Sequence, residues 1–201
     1  LHYNGSAWSA MPSGFRSDPA NPTSARDDRR RAALAARIAR QYRTVTETLR
    51  IGNLPIALTR VADLDQVLAE MEGSATGARA GWQPYWAETW DSALAVAEVL
   101  AGEPLRGQQV LDLGCGLGLT GAVAAARGAN VLLADAAPPA LLFARLNCWP
   151  WRTRVRLRRL DWRCDRLPGA CFDGVVGSDI LYDREDWSPL QFFRVESKLS
   201  R

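Results

Sequence analysis

The chain has 201 residues, 47% hydrophobic and 23% charged, with a formal net charge of +3, the balance of a soluble globular domain with only a weak electrostatic pull toward nucleic acid. No apolar run approaches the roughly 20 residues that cross a bilayer, and the start lacks the pattern of a secretory signal, so the expected location is cytoplasmic. Cys115, Cys148, Cys164 and Cys171 show no CxxC spacing, and His2 is the sole histidine. Zinc sites, disulfide frameworks and a histidine general base are therefore not expected, and the cysteines read as reduced thiols.

In chain order, residues 1–25 are rich in Ser, Pro, Gly and Asn without periodicity, the composition of a disordered arm, with Met11 a candidate natural start. Residues 26–42 place Leu34, Ile38 and Tyr42 at steps of four, which predicts an amphipathic helix with an arginine-rich outer side. Residues 44–61 alternate on both sides of Gly52-Asn53, a β-hairpin pattern. A short helix over 63–71 and a flexible linker over 73–81 close a small leading unit, taken as 26–80.

From residue 81 the pattern changes. A helix is expected over 92–101, capped by Asp91 or Ser92 and ended by Gly102. Strands at 109–113, 130–134, 154–160 and 173–178 alternate with helices near 119–127 and 138–147, the signature of a parallel sheet with helical crossovers in an α/β domain spanning 81–187. Arg152, Arg154, Arg156, Arg158 and Arg159 alternate through one strand. They read as the solvent face of an edge strand in preference to a patch for phosphate or an acidic partner. Trp149 and Trp151 read as loop packing.

The stretch most informative about chemistry is "VLDLGCGLGLTGAVAAARGANVLLAD" at 110–135. Gly114, Gly116 and Gly118 follow a buried strand and open a helix, where missing Cβ atoms would leave room for a ligand beside helical amide groups. The spacing is GxGxG, whereas a dinucleotide fold uses GxGxxG, which disfavours a nicotinamide cofactor. Asp135 ends the next strand, 17 residues past Gly118. A carboxylate there can accept both hydroxyls of a ribose.

"VLDLGCGLGLTG", "LLAD", "RLDW" and "GSDILY", in this order, resemble the motifs of class I S-adenosylmethionine-dependent methyltransferases. "PYWAETWDSALAVAEVL" before the glycine loop and Asp-Ile-Leu-Tyr at 179–182 resemble the seven-strand protein lysine methyltransferases, in particular the electron-transfer-flavoprotein β-subunit group. The resemblance covers residues 42–187. It implies a Rossmann-like methyltransferase sheet with S-adenosylmethionine as cofactor. By the same resemblance Asp112 supports the loop, and Gly114, Gly116 and Gly118 line the methionine and ribose part. Asp135 holds the ribose, and Asp161 and Trp162 meet the adenine. Trp86 and Trp90 cover the cofactor, and Asp179 and Tyr182 face the methyl acceptor as catalytic residues.

The implied activity is methyl transfer to a protein lysine. A small-molecule amine is the alternative acceptor, and a non-catalytic remnant that binds cofactor or a partner is a third reading. Nucleic acid is disfavoured, because "SDILY" lacks the prolines of base-directed amino methyltransferases. Seven strands are implied and four are evident, so the chain is read as a C-terminally shortened methyltransferase with an atypical tail over 188–201. A homodimer could cover the edge this leaves open.

Overall fold

The computed structural model describes residues 24–65, 67–68, 84–167, 171–181, 184–192 and 196–197. Most of the expected arm, the linker and Tyr182 lie outside the described residues, as does part of the helix expected over 63–71.

The leading helix α1 spans Ala25–Ala39, capped by Ser24, whose hydroxyl accepts from the Asp27 amide, with Asp27 and Asp28 in its first turn. Ile38 is its buried anchor and Leu34 is half-buried. Tyr42 falls beyond the helix end and packs edge-on against Trp86 and Phe143. The hairpin follows as expected, β1 (Thr44–Ile51) pairing antiparallel with β2 (Leu54–Val61) across a two-residue turn at Gly52-Asn53. Gly52 takes a φ of +55°, and its amide donates to Glu98 Oε2 at 2.9 Å.

A 3-10 turn at Tyr85–Ala87 leads into α2 (Asp91–Gly102). Here the structure corrects the capping expectation: Trp90 occupies the cap position without a side-chain hydrogen bond, and Gly102 is the last helical residue. Then come β3 (Gln109–Leu113), α3 (Leu119–Ala126), β4 (Asn130–Asp135) and α4 (Pro138–Asn147). A 3-10 turn at Trp149–Trp151 precedes β5 (Val155–Arg159), β6 (Cys171–Phe172) and β7 (Gly174–Val176). Helix α5 (Arg184–Phe192) runs into the segment read as an atypical tail over 188–201, and β8 (Glu196–Ser197) pairs in parallel with β6.

The main sheet is parallel, in the order β5-β4-β3-β7. This is the parallel α/β sheet that the alternation predicts, and it agrees with the Rossmann-like sheet implied by the resemblance. β4 is buried at every position because it is interior to the sheet and covered on both faces. On one face lies α3, whose residues Leu119 to Ala125 are all buried. Ala122, Ala124 and Ala125 keep this helix thin, so that the hairpin and α2 pack over it into one core containing Ile56, Leu58, Val123, Leu133 and Phe143. Burying a side chain such as Phe143 is worth about 2–3 kcal/mol. The hairpin therefore shares the core of the sheet.

The other face holds Leu111, Leu113, Leu132 and Leu160, with Leu190 of α5 packed against them. Asp186 of α5 is fully buried and forms an ion pair with Arg163, in which Arg163 Nη2 donates to Oδ2 at 3.0 Å. Apolar surface that the shortened-chain reading expected to be open is thus covered here by α5. Among the described residues β5 and β7 are the sheet edges, so the arginine-rich strand is an edge strand as expected. No helix among the described residues is long and apolar enough to cross a membrane.

Candidate functional site: a cleft at the switch point of the sheet

The chain steps from β3 outward to β4 and β5, then returns to place β7 on the other side of β3. Loops leaving the carboxyl ends of β3 and β7 diverge at that point, which is where parallel sheets form ligand crevices. The cleft is lined there by Gly114, Gly116, Asp135, Asp161, Trp162 and Asp179, and from the α2 side by Trp86, Glu88, Thr89 and Trp90. Most of the residues singled out from sequence are brought together by these loops.

Asp135, 9% exposed, is the fixed point of the cleft. Its Oδ2 accepts from the Gly116 amide at 2.9 Å and its Oδ1 from the Ala137 amide at 2.8 Å. It therefore ties the glycine loop to the end of β4 and presents the remaining lone pairs to the cleft. Burial raises its pKa against the pull of these amides.

Asp112 supports the loop from behind and does not reach the cleft. It is 1% exposed, accepts from Thr120 Oγ1 at 2.6 Å, and is pushed by burial up to about 6, while Thr120 and the Gly121 amide pull it down.

The glycines need a correction. Gly118 does not line the cleft: at φ +80° it faces α4, and a Cβ there would lie 2.9 Å from Ala144 Cβ and 3.0 Å from Ala144 Cα. Gly114 and Gly116 do line the cleft, yet a Cβ on Gly114 would meet Ile180 Cγ2 at 2.6 Å and one on Gly116 the Trp86 carbonyl at 3.5 Å. Protein atoms crowd Gly114 and Gly118, whereas the contact at Gly116 is ordinary and its φ of +49° is what favours glycine there.

On the other wall Trp86 packs against Phe143 and Tyr42, while Trp90 is exposed at the rim with its indole N–H donating to the Tyr85 carbonyl at 2.8 Å. Asp179 is exposed and adopts a left-handed φ of +51°, which a short polar side chain tolerates. The Ser92 hydroxyl donates to Asp179 Oδ2, so the residue expected to cap α2 holds the candidate acceptor-side carboxylate instead. Asp161 turns the chain after β5, its Oδ1 accepting from the Arg163 amide at 3.0 Å.

Two further features escaped the sequence reading. Thr89 and Trp162 line the cleft, and their Oγ1 and Nε1 are buried with no hydrogen-bond partner among the described residues. Thr89 had no sequence signal. Asn147, 3% exposed, accepts from the Thr59 amide at 2.8 Å and donates to the Thr59 carbonyl and to the Leu117 carbonyl, at 3.0 and 2.9 Å. It fastens the hairpin to the glycine loop. A polar residue ending an apolar helix face was the only available signal for it.

Residues 110–194, from β3 through α5, match a protein family described as "Methyltransferase domain". Over those residues the chain is similar to a methyltransferase domain. Among curated proteins, a protein N-lysine methyltransferase METTL21A of Danio rerio is 34% identical over 113 residues, 52% of this chain and 51% of that protein. An electron transfer flavoprotein β-subunit lysine methyltransferase of Xenopus laevis is 36% identical over 51% of this chain and 42% of its own length. Its Homo sapiens counterpart is 43% identical over 51% and 40%. The chain spans about half the length of these curated relatives or less. A TehB-like S-adenosylmethionine-dependent methyltransferase of Corynebacterium glutamicum superimposes with a TM-score of 0.36, at 24% identity over 55% of each chain.

Proposed function

We propose that the chain binds S-adenosylmethionine in the cleft and directs methyl transfer to an amine, with a protein lysine side chain as the acceptor. The names of the relatives support the lysine reading. The observation that carries the cofactor assignment is the polar inventory of the cleft. A buried carboxylate at the strand end, Asp135, lies hydrogen-bonded to Gly116, with two buried donors, Thr89 Oγ1 and Trp162 Nε1, left unpaired. Orphaned donors inside a protein are costly, about 1–3 kcal/mol each, and a ligand with acceptor atoms relieves that. A nucleoside such as adenosine offers hydroxyl donors to Asp135 and an amino donor to Asp161 as well as ring acceptors, so the residues fit the group.

When bound, the cofactor supplies a methyl group made electrophilic by its sulfonium. The chain then needs no strong nucleophile, and its residues act by alignment. In this reading Asp135 takes the ribose hydroxyls, Asp161 and Trp162 take the adenine, and Gly114, Gly116, Trp86 and Trp90 wall the cofactor. Asp112 and Gly118 hold the loop from outside the cleft. Asp179, positioned by Ser92, orients the incoming amine nitrogen together with Tyr182, and the aromatic rim favours an amine substrate. We place this activity in the cytoplasm, in keeping with four free cysteines among the described residues.

Titration calorimetry with S-adenosylmethionine and S-adenosylhomocysteine, and with NAD as control, tests the cofactor assignment. Saturable binding of the first two alone is expected. Binding of NAD, or of none of them by a folded chain, overturns it. Methyl transfer to lysine-containing peptides in preference to a panel of small amines is expected next. The reverse preference would move the acceptor to a metabolite, and cofactor binding without transfer would identify a non-catalytic binding module.

A further inference from the structure

A second hollow, of about 580 Å³, lies at the opposite end of the sheet, where the parallel strands begin. It shares no residue with the cleft. Arg30 of α1, Arg145 of α4, Arg152 after the Trp149–Trp151 turn and Arg156 of β5 line it together with Trp149 and Asp27. We propose that this groove docks an acidic segment of a partner protein, a proposal that stands independently of the methyl-transfer reading.

The expectation for the 152–159 arginines was a solvated strand face. The structure shows something different, because Arg30 and Arg145 arrive from two separate helices and converge with the strand residues on one concavity. Alternation along a strand cannot produce that convergence. Guanidinium groups donate and do not accept, and an indole N–H likewise only donates. The one carboxylate present, Asp27, is already engaged by Arg152 at 2.8 Å. Among the described residues Arg30, Arg145 and Arg156 form no ion pair. Trp149 lines the groove, and its Nε1 is buried with no hydrogen-bond partner among the described residues. A groove whose unspent polar groups are all donors selects a ligand rich in anionic acceptor oxygens.

The Asp27–Arg152 pair shows that the groove accepts a carboxylate in hydrogen-bonded contact. Single-stranded nucleic acid needs aromatic faces on which bases stack. The Arg152 guanidinium already lies over the Trp149 ring, 5.9 Å from its centroid. Carboxylates on a peptide therefore satisfy the groove better than a phosphate chain with bases to place.

A fluorescently labelled hexaglutamate peptide, titrated with the full chain at low and at physiological salt, tests the proposal against hexathymidylate as the competing polyanion. Saturable peptide binding that weakens with salt is expected. The variant Arg30→Gln/Arg145→Gln/Arg156→Gln should weaken it by at least about tenfold, with circular dichroism and melting confirming the fold. Trp149→Phe keeps an aromatic ring beneath Arg152 and removes the indole N–H together with the five-membered ring. It should weaken binding about threefold or more, and it decides the matter if the triple variant does not fold. Absence of saturable peptide binding overturns the proposal, as does binding unchanged in the triple variant or, should that variant not fold, in Trp149→Phe. Hexathymidylate binding as tightly as the peptide overturns it in favour of a nucleic-acid surface.

Discussion

The two walls of the cleft are built on different principles. On the strand side the functional atoms are backbone amides and buried carboxylates: Gly116 and Ala137 hold Asp135, and Thr120 holds Asp112. On the acceptor side they are exposed side chains from distant segments, with Ser92 reaching Asp179 across 87 residues of chain. The first wall is fixed by strand pairing and helix packing, so its geometry survives as long as the core does. The second depends on a few surface contacts and is the wall more easily changed without unfolding. The proposed division of labour follows: a rigid wall for the cofactor and an adjustable one for the acceptor.

The largest effect is expected where the rigid wall meets the ligand. Asp135→Ala removes the acceptor for two amides and for the ribose at once, and should weaken S-adenosylmethionine binding about a thousandfold in calorimetry. Retained affinity would show that the rigid wall does not carry the cofactor. Behind it, the raised Asp112 has a consequence for stability. Its native pKa of about 6 lies above the unfolded value of 3.8, so the folded state holds the proton more firmly. The stability from this group is then full below about pH 4 and falls as pH rises through 6, by about 3 kcal/mol in all. Asp112→Asn keeps an acceptor for Thr120 and stays neutral. Denaturant melts of the two proteins at pH 4 and pH 7 should show a smaller loss in the variant, and equal losses would mean that Asp112 ionises without penalty.

On the adjustable wall, Asp179→Ala is expected to lower turnover about a hundredfold while leaving cofactor affinity within about twofold. A parallel loss of affinity would merge the two walls into one unit. Ser92→Ala should do the same more weakly, because it loosens Asp179 without removing it.

This contrast also explains what could be read in the sequence. The parallel sheet, the hairpin and the position of Asp135 were legible because each follows from local pattern: buried runs, a Gly-Asn turn, a carboxylate at a strand end. The Ser92–Asp179 contact, the Arg163–Asp186 pair under α5 and the Asn147 bridge join residues 23 to 88 positions apart, and no local pattern encodes such pairings. Helix α5 was missed because its apolar residues are few and its buried Asp186 looks like a surface residue until Arg163 is placed beside it. Arg156, Arg158 and Arg159 were placed correctly on an edge strand, whereas Arg152 and Arg154 fall in the turn before it, and the convergence with Arg30 and Arg145 needed the fold.

Gly118 draws the line between ligand and packing most sharply. The motif places it among the ligand-lining glycines, whereas the structure turns it toward α4. Gly118→Ala would push a Cβ to 3.0 Å from the Ala144 backbone at a left-handed φ of +80°, and neither neighbour can yield without moving a helix. A cost of about 2 kcal/mol in denaturant unfolding is expected, from strain and overpacking together. Because the new atom points away from the cleft, affinity for S-adenosylmethionine should change little in the protein that remains folded. If stability is instead retained and affinity lost, Gly118 belongs to the ligand wall, and the loop would have to turn toward the cleft on binding. The double variant Gly118→Ala/Ala144→Gly relieves only the contact with the Ala144 Cβ, because the Ala144 Cα at 3.0 Å and the left-handed φ both remain. Any stability recovered, over and above the roughly 1 kcal/mol that a glycine costs inside a helix, would be assigned to the Cβ contact.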